Sequence, residues 1–258
     1  MTAQSATNDS VREQFGAVAA AYASSAYHSA GPDLKTVVAT AAFTGNERVL
    51  DMGSGAGHMA LAVAPHVAQV TGIDVTPEMV GVATALAAER GMMNVRFQVG
   101  DVAALPFAEG EFDVVTSRVS AHHYADPQRA LAEAARVLRP GGRFFLIDTV
   151  APEDPALDTF FNAFELLRDA SHVRNWRGSE WVRMFAHAGF EARMLERFAV
   201  ALDGDDWVKR MRTPASKVAV LRELFSNANP AQRAAFDLDD GPPWRLSVPI
   251  ALFEARRA

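Results

Sequence analysis

The stretch Arg48-Val49-Leu50-Asp51-Met52-Gly53-Ser54-Gly55-Ala56-Gly57-His58-Met59-Ala60 decides the fold. It opens as a short apolar strand and runs into glycines at alternate positions. Glycine tolerates positive φ and lets a ligand approach the main chain closely. The bend then opens a helix, whose first N–H groups have no partner within the helix and face whatever lies at the loop. On the glycines alone a second reading stays open, in which they merely permit tight strand-to-helix packing.

Outward from this bend, short apolar runs alternate with helical stretches up to residue 148. Val70 to Asp74, Val95 to Val99, Phe112 to Thr116 and Arg143 to Ile147 read as further strands. Strands separated by helices imply right-handed crossovers and a parallel sheet. Thr76-Pro77, Asp126-Pro127 and Asp154-Pro155 each place a capping residue before a proline at the first helical position. Leu157, Phe160, Phe161, Phe164 and Leu167 recur at helical spacing. Ser179 is expected to cap Glu180 to His187, with Gly189 ending that helix. Arg139-Pro140-Gly141-Gly142 reads as a turn. Glu191 to Val200 and Leu246 to Ala255 read as two last strands forming an antiparallel end to the sheet. Residues 204–240 between them read as a helical cover.

The class that emerges is α/β, a mostly parallel, doubly wound sheet. No Gly/Ser or Pro-rich linker divides the chain, so 1–258 is expected to be one domain. Within it, 1–44 form an N-terminal helical arm, 45–150 the core around the glycine bend, and 151–258 the remainder of the sheet with its cover. The 258 residues suffice for a sizeable core. Apolar residues at 49% rule out disorder. A net charge of −6 argues against a protein that holds nucleic acid by charge. The absence of cysteine removes disulfides and thiolate metal sites. No run reaches the roughly 18 to 20 apolar residues that span a bilayer. The first residues lack a basic segment followed by an apolar run, so a cytoplasmic location is expected.

The spacing of the glycines narrows the ligand. In a dinucleotide loop of the form G-x-G-x-x-G, the third glycine would fall on His58 or on Ala60, depending on the frame. A P-loop is excluded because no Gly-Lys-Ser/Thr follows. Asp74 ends the second strand, where a carboxylate can accept both hydroxyls of a ribose. Asp101 follows the third strand, placed to meet the edge of a base, with Val102 offering a backbone N–H. A turn aspartate is the rival reading for Asp101.

The segments VLDMGSGAGHMA, TGIDVTPEMV, GDVAALPFAEGEFDVVTSRVSAHHY and LRPGGRFFLID resemble, in order, the motifs of class I S-adenosylmethionine-dependent methyltransferases. They are most similar to the branch containing the ubiquinone and menaquinone C-methyltransferases. The resemblance covers about residues 45 to 150. It implies a Rossmann-like sheet of seven strands with the last reversed. It also implies S-adenosyl-L-methionine as cofactor and S-adenosyl-L-homocysteine as product. By the same resemblance, Asp51, Gly53, Ser54, Gly55 and Gly57 lie under the methionine moiety and Asp74 holds the ribose. Val75 and Met79 lie against the adenine, Asp101 and Val102 at its edge, and Ser117 beside the amino group and sulfonium. Tyr22, Tyr27 and His28 of the arm are expected to close the pocket.

The acceptor side is less legible. His122 is expected either to act as a general base, since imidazole titrates near neutrality, or to pack on the cofactor. His123 follows it, and neighbours in an extended segment point opposite ways, which argues against a metal site. His58, His66 and His187 read as surface or packing residues. His172 lies in a polar segment after an aromatic helix. With Phe161, Phe164, Arg174 and Trp176 it is expected to line an acceptor pocket, where it is a second catalytic candidate. The expected function is in-line methyl transfer to a small-molecule acceptor through N, O or C. The rival readings are a cofactor-binding module without turnover and a nicotinamide-type oxidoreductase.

Overall fold

The computed structural model describes residues 3–23, 29 and 31–258. Its sheet contains β1 (Arg48–Met52), β2 (Gln69–Asp74), β3 (Val95–Val99), β4 (Phe112–Arg118), β5 (Leu138–Thr149), β6 (Phe190–Asp203) and β7 (Arg245–Arg257). They lie in the order β3-β2-β1-β4-β5-β7-β6. β1 to β5 pair in parallel. β7 runs antiparallel to both β5 and β6. The expected antiparallel end is therefore a single reversed strand, inserted between β5 and β6, and β6 resumes the direction of the first five.

The chain builds outward from β1 to β3, then returns to place β4 on the other side of β1. At this reversal the crossover connections leave in opposite directions, and a crevice opens beyond the carboxyl ends of β1 and β4.

Helices cover both faces. The described arm consists of α1 (Ala3–Gly16), α2 (Ala19–Ala23) and α3 (Pro32–Ala41). α4 (His58–Val63), α5 (Pro77–Glu89), α6 (Pro127–Val137), α7 (Pro155–Arg168) and α8 (Gly178–His187) follow the strands. Residues 204–240 carry α9 (Gly204–Arg210), α10 (Ala215–Ser226) and α11 (Pro230–Phe236). Strand side chains alternate between faces. Leu50 and Phe144 pack with Leu131, Trp181 and Phe185 on one side. Their neighbours Val49 and Phe145 pack with Leu34, Val37, Met59 and Val63 on the other.

A third cluster joins Phe160, Phe161 and Phe164 of α7 to Trp207, Leu221, Phe225, Phe236 and Trp244. Here the expectation for Phe161 and Phe164 fails. Both are fully buried in this cluster, with ring centroids 5.1 Å apart and Phe164 a further 5.3 Å from Phe225. Helical periodicity marks a buried face but does not say whether protein or ligand covers it. Arg174 is likewise spoken for, since its Nη2 lies 2.9 Å from Asp158 Oδ2 and its guanidinium lies over Trp176.

The local signals hold at Asp126, which accepts the Arg129 N–H, and at Asp154, which accepts those of Ala156 and Leu157. They fail at Thr76, whose buried hydroxyl makes no hydrogen bond with a described residue, because Asp74 takes the Thr76 N–H instead. They fail also at Ser179, which lies inside α8 and binds Glu153 through its N–H and Oγ. Residues 139–142 belong to β5, whose register with β4 shifts there, rather than to a free turn.

Gly57 caps α4 at φ 85°. A Cβ there would lie 2.7 Å from the Phe97 ring and 2.9 Å from the Ala83 methyl. Both neighbours are held by packing, so Gly57→Ala combines a left-handed conformation with a clash. We expect a loss of about 2–4 kcal/mol, read as a lower urea midpoint with unchanged m-value. A midpoint within error of wild type would show that the bend is not constrained in this way.

Candidate functional site

Beyond the carboxyl ends of β1, β2 and β4 lies a cavity of about 960 Å³. The glycine bend forms its floor. Ser54 N–H donates to Ile73 O at 3.0 Å, and Gly55 N–H to Asp74 Oδ2 at 2.8 Å. The other oxygen of Asp74 accepts the Thr76 N–H at 2.9 Å. One buried carboxylate therefore fastens the loop after β1 to the tip of β2, and burial raises its pKa. A Cβ on Gly53 would meet Ser120 Oγ at 2.5 Å, so the loop packs directly on the segment after β4. A Cβ on Gly55, also a cavity residue, would meet no described protein atom within 4 Å.

Asp51 is the second carboxylate here. Its Oδ1 accepts the Thr116 hydroxyl at 2.8 Å. Its Oδ2 is buried and has no partner among the described residues. Burial pushes the Asp51 carboxyl up to about 7.

The arm closes the opposite wall. From α1, Asn8 Nδ2 donates to Asp101 Oδ2 at 2.8 Å, and Arg12 Nε to Val75 O at 3.1 Å. Gln4, Val11, Phe15 and Tyr22 also line the cavity. Asp101 accepts the Ala103 N–H as a turn aspartate does, so both sequence readings of it meet in one side chain. α3 is anchored by a buried ion pair between Asp33 and Arg118, which also faces the cavity.

The structure thus gathers Tyr22, Asp51, Gly53, Ser54, Gly55, Asp74, Val75, Met79, Asp101 and Val102 around this space. Gly57 lies outside the lining, behind the bend. Ser117 does too. It is fully buried, with its Oγ 3.0 Å from Tyr124 Oη and 3.1 Å from Ser120 Oγ. The pleat turns Ser117 inward, and Arg118, Val119 and Ser120 form the wall in its place. Val119 takes φ 50°, a rare conformation for a β-branched residue. Of the surface and packing roles open to it, His58 takes the second: it is buried, lines the cavity, and its Nε2 is 2.9 Å from Tyr22 O. His66 and His187 are exposed. Tyr27 and His28 lie outside the described residues.

His122 does not line this cavity but a second one of about 650 Å³. Phe15, Tyr22, Val119 and His123 border both spaces. His122 Nδ1 lies 2.6 Å from Asp148 Oδ1. Asp148 is fully buried and also accepts the N–H groups of His122 and Thr149. An ionised carboxylate only accepts, so Nδ1 carries the proton. Nε2 is left with no hydrogen bond among the described residues. Burial works against a charged ring, but attraction to Asp148 outweighs it and the His122 pKa is raised. Burial and the charge of His122 push His123 down to about 4 and His172 to about 2. His172 lines neither cavity. It is buried against Asn162 Oδ1 at 3.2 Å, within 5.8 Å of the His122 ring. Among the described residues no group of acids and histidines is placed to hold a metal ion. No helix among them is long and apolar enough to cross a membrane.

A methyltransferase domain model matches residues 50–146. The uncharacterized methyltransferase YcgJ of Bacillus subtilis is 44% identical over 207 residues, 80% of this chain and 81% of its own. The chain belongs to the class I S-adenosylmethionine-dependent methyltransferases. The crystal structure of YcgJ matches this methyltransferase with a TM-score of 0.84 and 40% identity, over 87% of this chain and 97% of that one. YafE of Escherichia coli is 35% identical over 184 residues, 71% of this chain and 89% of its own. A demethylmenaquinone methyltransferase of Thermus thermophilus is 37% identical over 120 residues, 46% of this chain and 54% of its own. The cofactor of this methyltransferase is S-adenosylmethionine, and the oxidoreductase reading of its glycine bend falls.

Asp51 keeps its proton to about pH 7 in the fold but loses it at about 3.9 in an unfolded chain. The folded state therefore binds more protons across that window, and stability falls as pH rises through it. Asp51→Asn keeps an acceptor for Thr116 and removes the charge. In the ligand-free protein, urea unfolding should show wild type losing about 2 kcal/mol relative to Asp51→Asn between pH 5.5 and 7. Parallel pH curves for the two proteins would refute the burial of an uncompensated carboxylate.

Proposed function

We propose that the first cavity holds S-adenosylmethionine, that the second holds a small-molecule acceptor, and that His122 takes the proton the acceptor must lose. The observation that carries this reading is the pairing of His122 with Asp148 on the wall of a chamber that shares Phe15, Tyr22, Val119 and His123 with the first cavity.

The residues present fit the cofactor. The unpartnered Oδ2 of Asp51 suits an ammonium group, and the open space at Gly55 suits a ligand lying on bare main chain. Asp74 has lone pairs left for ribose hydroxyls after accepting two N–H groups. Val75 and Met79 offer an apolar slot for adenine, with Asp101 and Val102 at its edge. In the position expected of Ser117, Ser120 and Tyr124 present the polar atoms. The bound cofactor supplies a methyl group already activated by a sulfonium. The protein's own contribution is then mainly positional, which can provide on the order of 7–11 kcal/mol of barrier lowering in favourable cases. The arm excludes water from the carboxylates.

At the acceptor, Nε2 of His122 receives a proton while Asp148 fixes the tautomer and stabilises the imidazolium. A mostly apolar wall with a few polar groups suits a small molecule. The 1–258 chain works as one domain on this reading, because β6 and β7 complete both the sheet and the acceptor wall.

Two outcomes test the reading. Asp74→Asn retains one acceptor for the backbone but loses the charge, so S-adenosylhomocysteine should bind at least tenfold more weakly by calorimetry, with an unchanged circular dichroism spectrum. Equal affinity would remove Asp74 from the site. For His122, proton resonance titration should find its pKa above the usual imidazole value of about 6.5 in wild type and below it in Asp148→Asn. Stabilisation from the protonated pair is present below the unfolded value and lost as pH rises through the folded one. Turnover has the opposite slope, rising with pH as His122 becomes a free base, and Asp148→Asn should lower kcat by about 10² to 10⁴. A pKa that does not fall in Asp148→Asn would dismiss the base assignment.

A further inference from the structure

This inference rests on the second cavity being the acceptor chamber. Of the charged side chains on its wall, all but one make a hydrogen bond or ion pair with a described residue. Arg168 Nη1 lies 3.3 Å from Glu165 Oε2, and its guanidinium sits 5.0 Å from the Trp207 ring centroid. Asp169 accepts the N–H and Oγ–H of Ser171 at 2.9 and 2.7 Å. His122 is held by Asp148.

Arg210, the last residue of α9, makes no hydrogen bond or ion pair with any described residue, although it is half-buried and lines the cavity. Burial and the positive charge of Arg168 work against its charge and outweigh the attraction of Asp206 and Glu165. A guanidinium nonetheless stays protonated at neutral pH. Asp206 and Glu165 attract it without pairing with it, so a half-withdrawn cation is left without a directly bonded anion, and one entering the chamber would supply it. Around it the wall is apolar, formed by Val200, Leu202, Trp207, Val248 and Ile250.

We infer that the methyl acceptor is an apolar small molecule carrying a carboxylate, and that Arg210 pairs with that carboxylate. The planar fork of a guanidinium matches a carboxylate through two parallel hydrogen bonds. With Glu165 and Asp169 on the same wall, a singly charged anion is favoured over a phosphate dianion. The apolar body then lies along the aliphatic wall, and specificity comes from the charged end. Arg210 is thus a binding residue for the acceptor rather than part of the proton transfer.

The test uses the full chain saturated with S-adenosylhomocysteine at pH 8, with octanoate and 1-octanol as matched probes. They share an apolar chain and differ in the charged end. Calorimetry should show octanoate binding at least tenfold more tightly than octanol. Arg210→Met should abolish that preference while leaving the affinities for octanol and S-adenosylhomocysteine unchanged. Should that variant not fold, Arg210→Gln serves, with the same loss expected. Equal binding of the two probes by wild type, or a preference that survives loss of the guanidinium, overturns the inference. Uptake of S-adenosylhomocysteine without the carboxylate preference removes the acceptor class alone. Failure to take it up removes the cofactor-site reading and this inference with it.

Discussion

A single buried carboxylate holds the site together. Asp74 accepts one N–H from the bend after β1 and one from the residue before α5. Both belong to loops that the sheet topology brings side by side at its reversal. Without that acceptor, two main-chain donors at the cavity floor would compete for water, and a bend with three glycines at positive φ would have little to define its shape. Its consequence is electrostatic. Fastening the bend in this way places Asp74 near Asp51, and both carboxyls are pushed toward their neutral forms by burial. A site built from desolvated acids is unfavourable without a ligand and receptive to one that brings donors and a positive charge. Such local cost at a functional site is the usual exchange of stability for activity.

The second constraint is the closing of the crevice by segments distant in sequence. α1 reaches Asp101 and the Val75 carbonyl with neutral amides and a guanidinium, and α3 is pinned through Asp33 to Arg118. Donors on the arm thus meet acceptors at the tips of β2 and β3, and an acceptor on the arm, Asp33, meets the Arg118 donor at the tip of β4. The same arm contributes Phe15 and Tyr22 to the partition between the two cavities. Val119 completes that partition in a strained conformation, which the hydrogen bond from its N–H to Ile147 O helps to hold.

The parts of this arrangement that local rules govern were legible in the sequence. Strands β1 to β5, the bend, Asp74 and Asp101 follow from apolar runs, glycine placement and the chemistry of strand ends, while Asp51 came from the family resemblance. What escaped depends on packing between distant segments. Gln4 and Asn8 carry no periodic signal, and Asn8 meets Asp101 across 93 residues. Ser117 lies in β4 and Ser120 two residues beyond it, and the pleat together with the left-handed turn at Val119 decides which faces the cavity. Phe161 and Phe164 show the same helical spacing whether a ligand or α10 and α11 cover them. Asp148 did leave a signal: a carboxylate closing the apolar run Phe144 to Ile147 must be hydrogen-bonded when buried. Its partner, His122, lies 26 residues earlier.

The three clustered histidines show how such packing assigns chemistry. The rings of His122, His123 and His172 lie 4.2 to 6.4 Å apart. Positive charges that close in a buried space cannot coexist, so protonation of one suppresses the others and the cluster titrates as a unit. Asp148 decides which ring holds the proton, because it bonds to His122 alone of the three. His123 keeps its Nδ1 proton on the Ser171 carbonyl, and His172 donates its Nε2 proton to Asn162 Oδ1 in a neutral contact. Pushing apart the pKa values of like groups is how a protein separates one titrating group from structural neighbours of the same chemical type. The neutral pair has a further effect: it surrounds His122 with polarisable rings rather than water, which keeps the Asp148 attraction strong at short range.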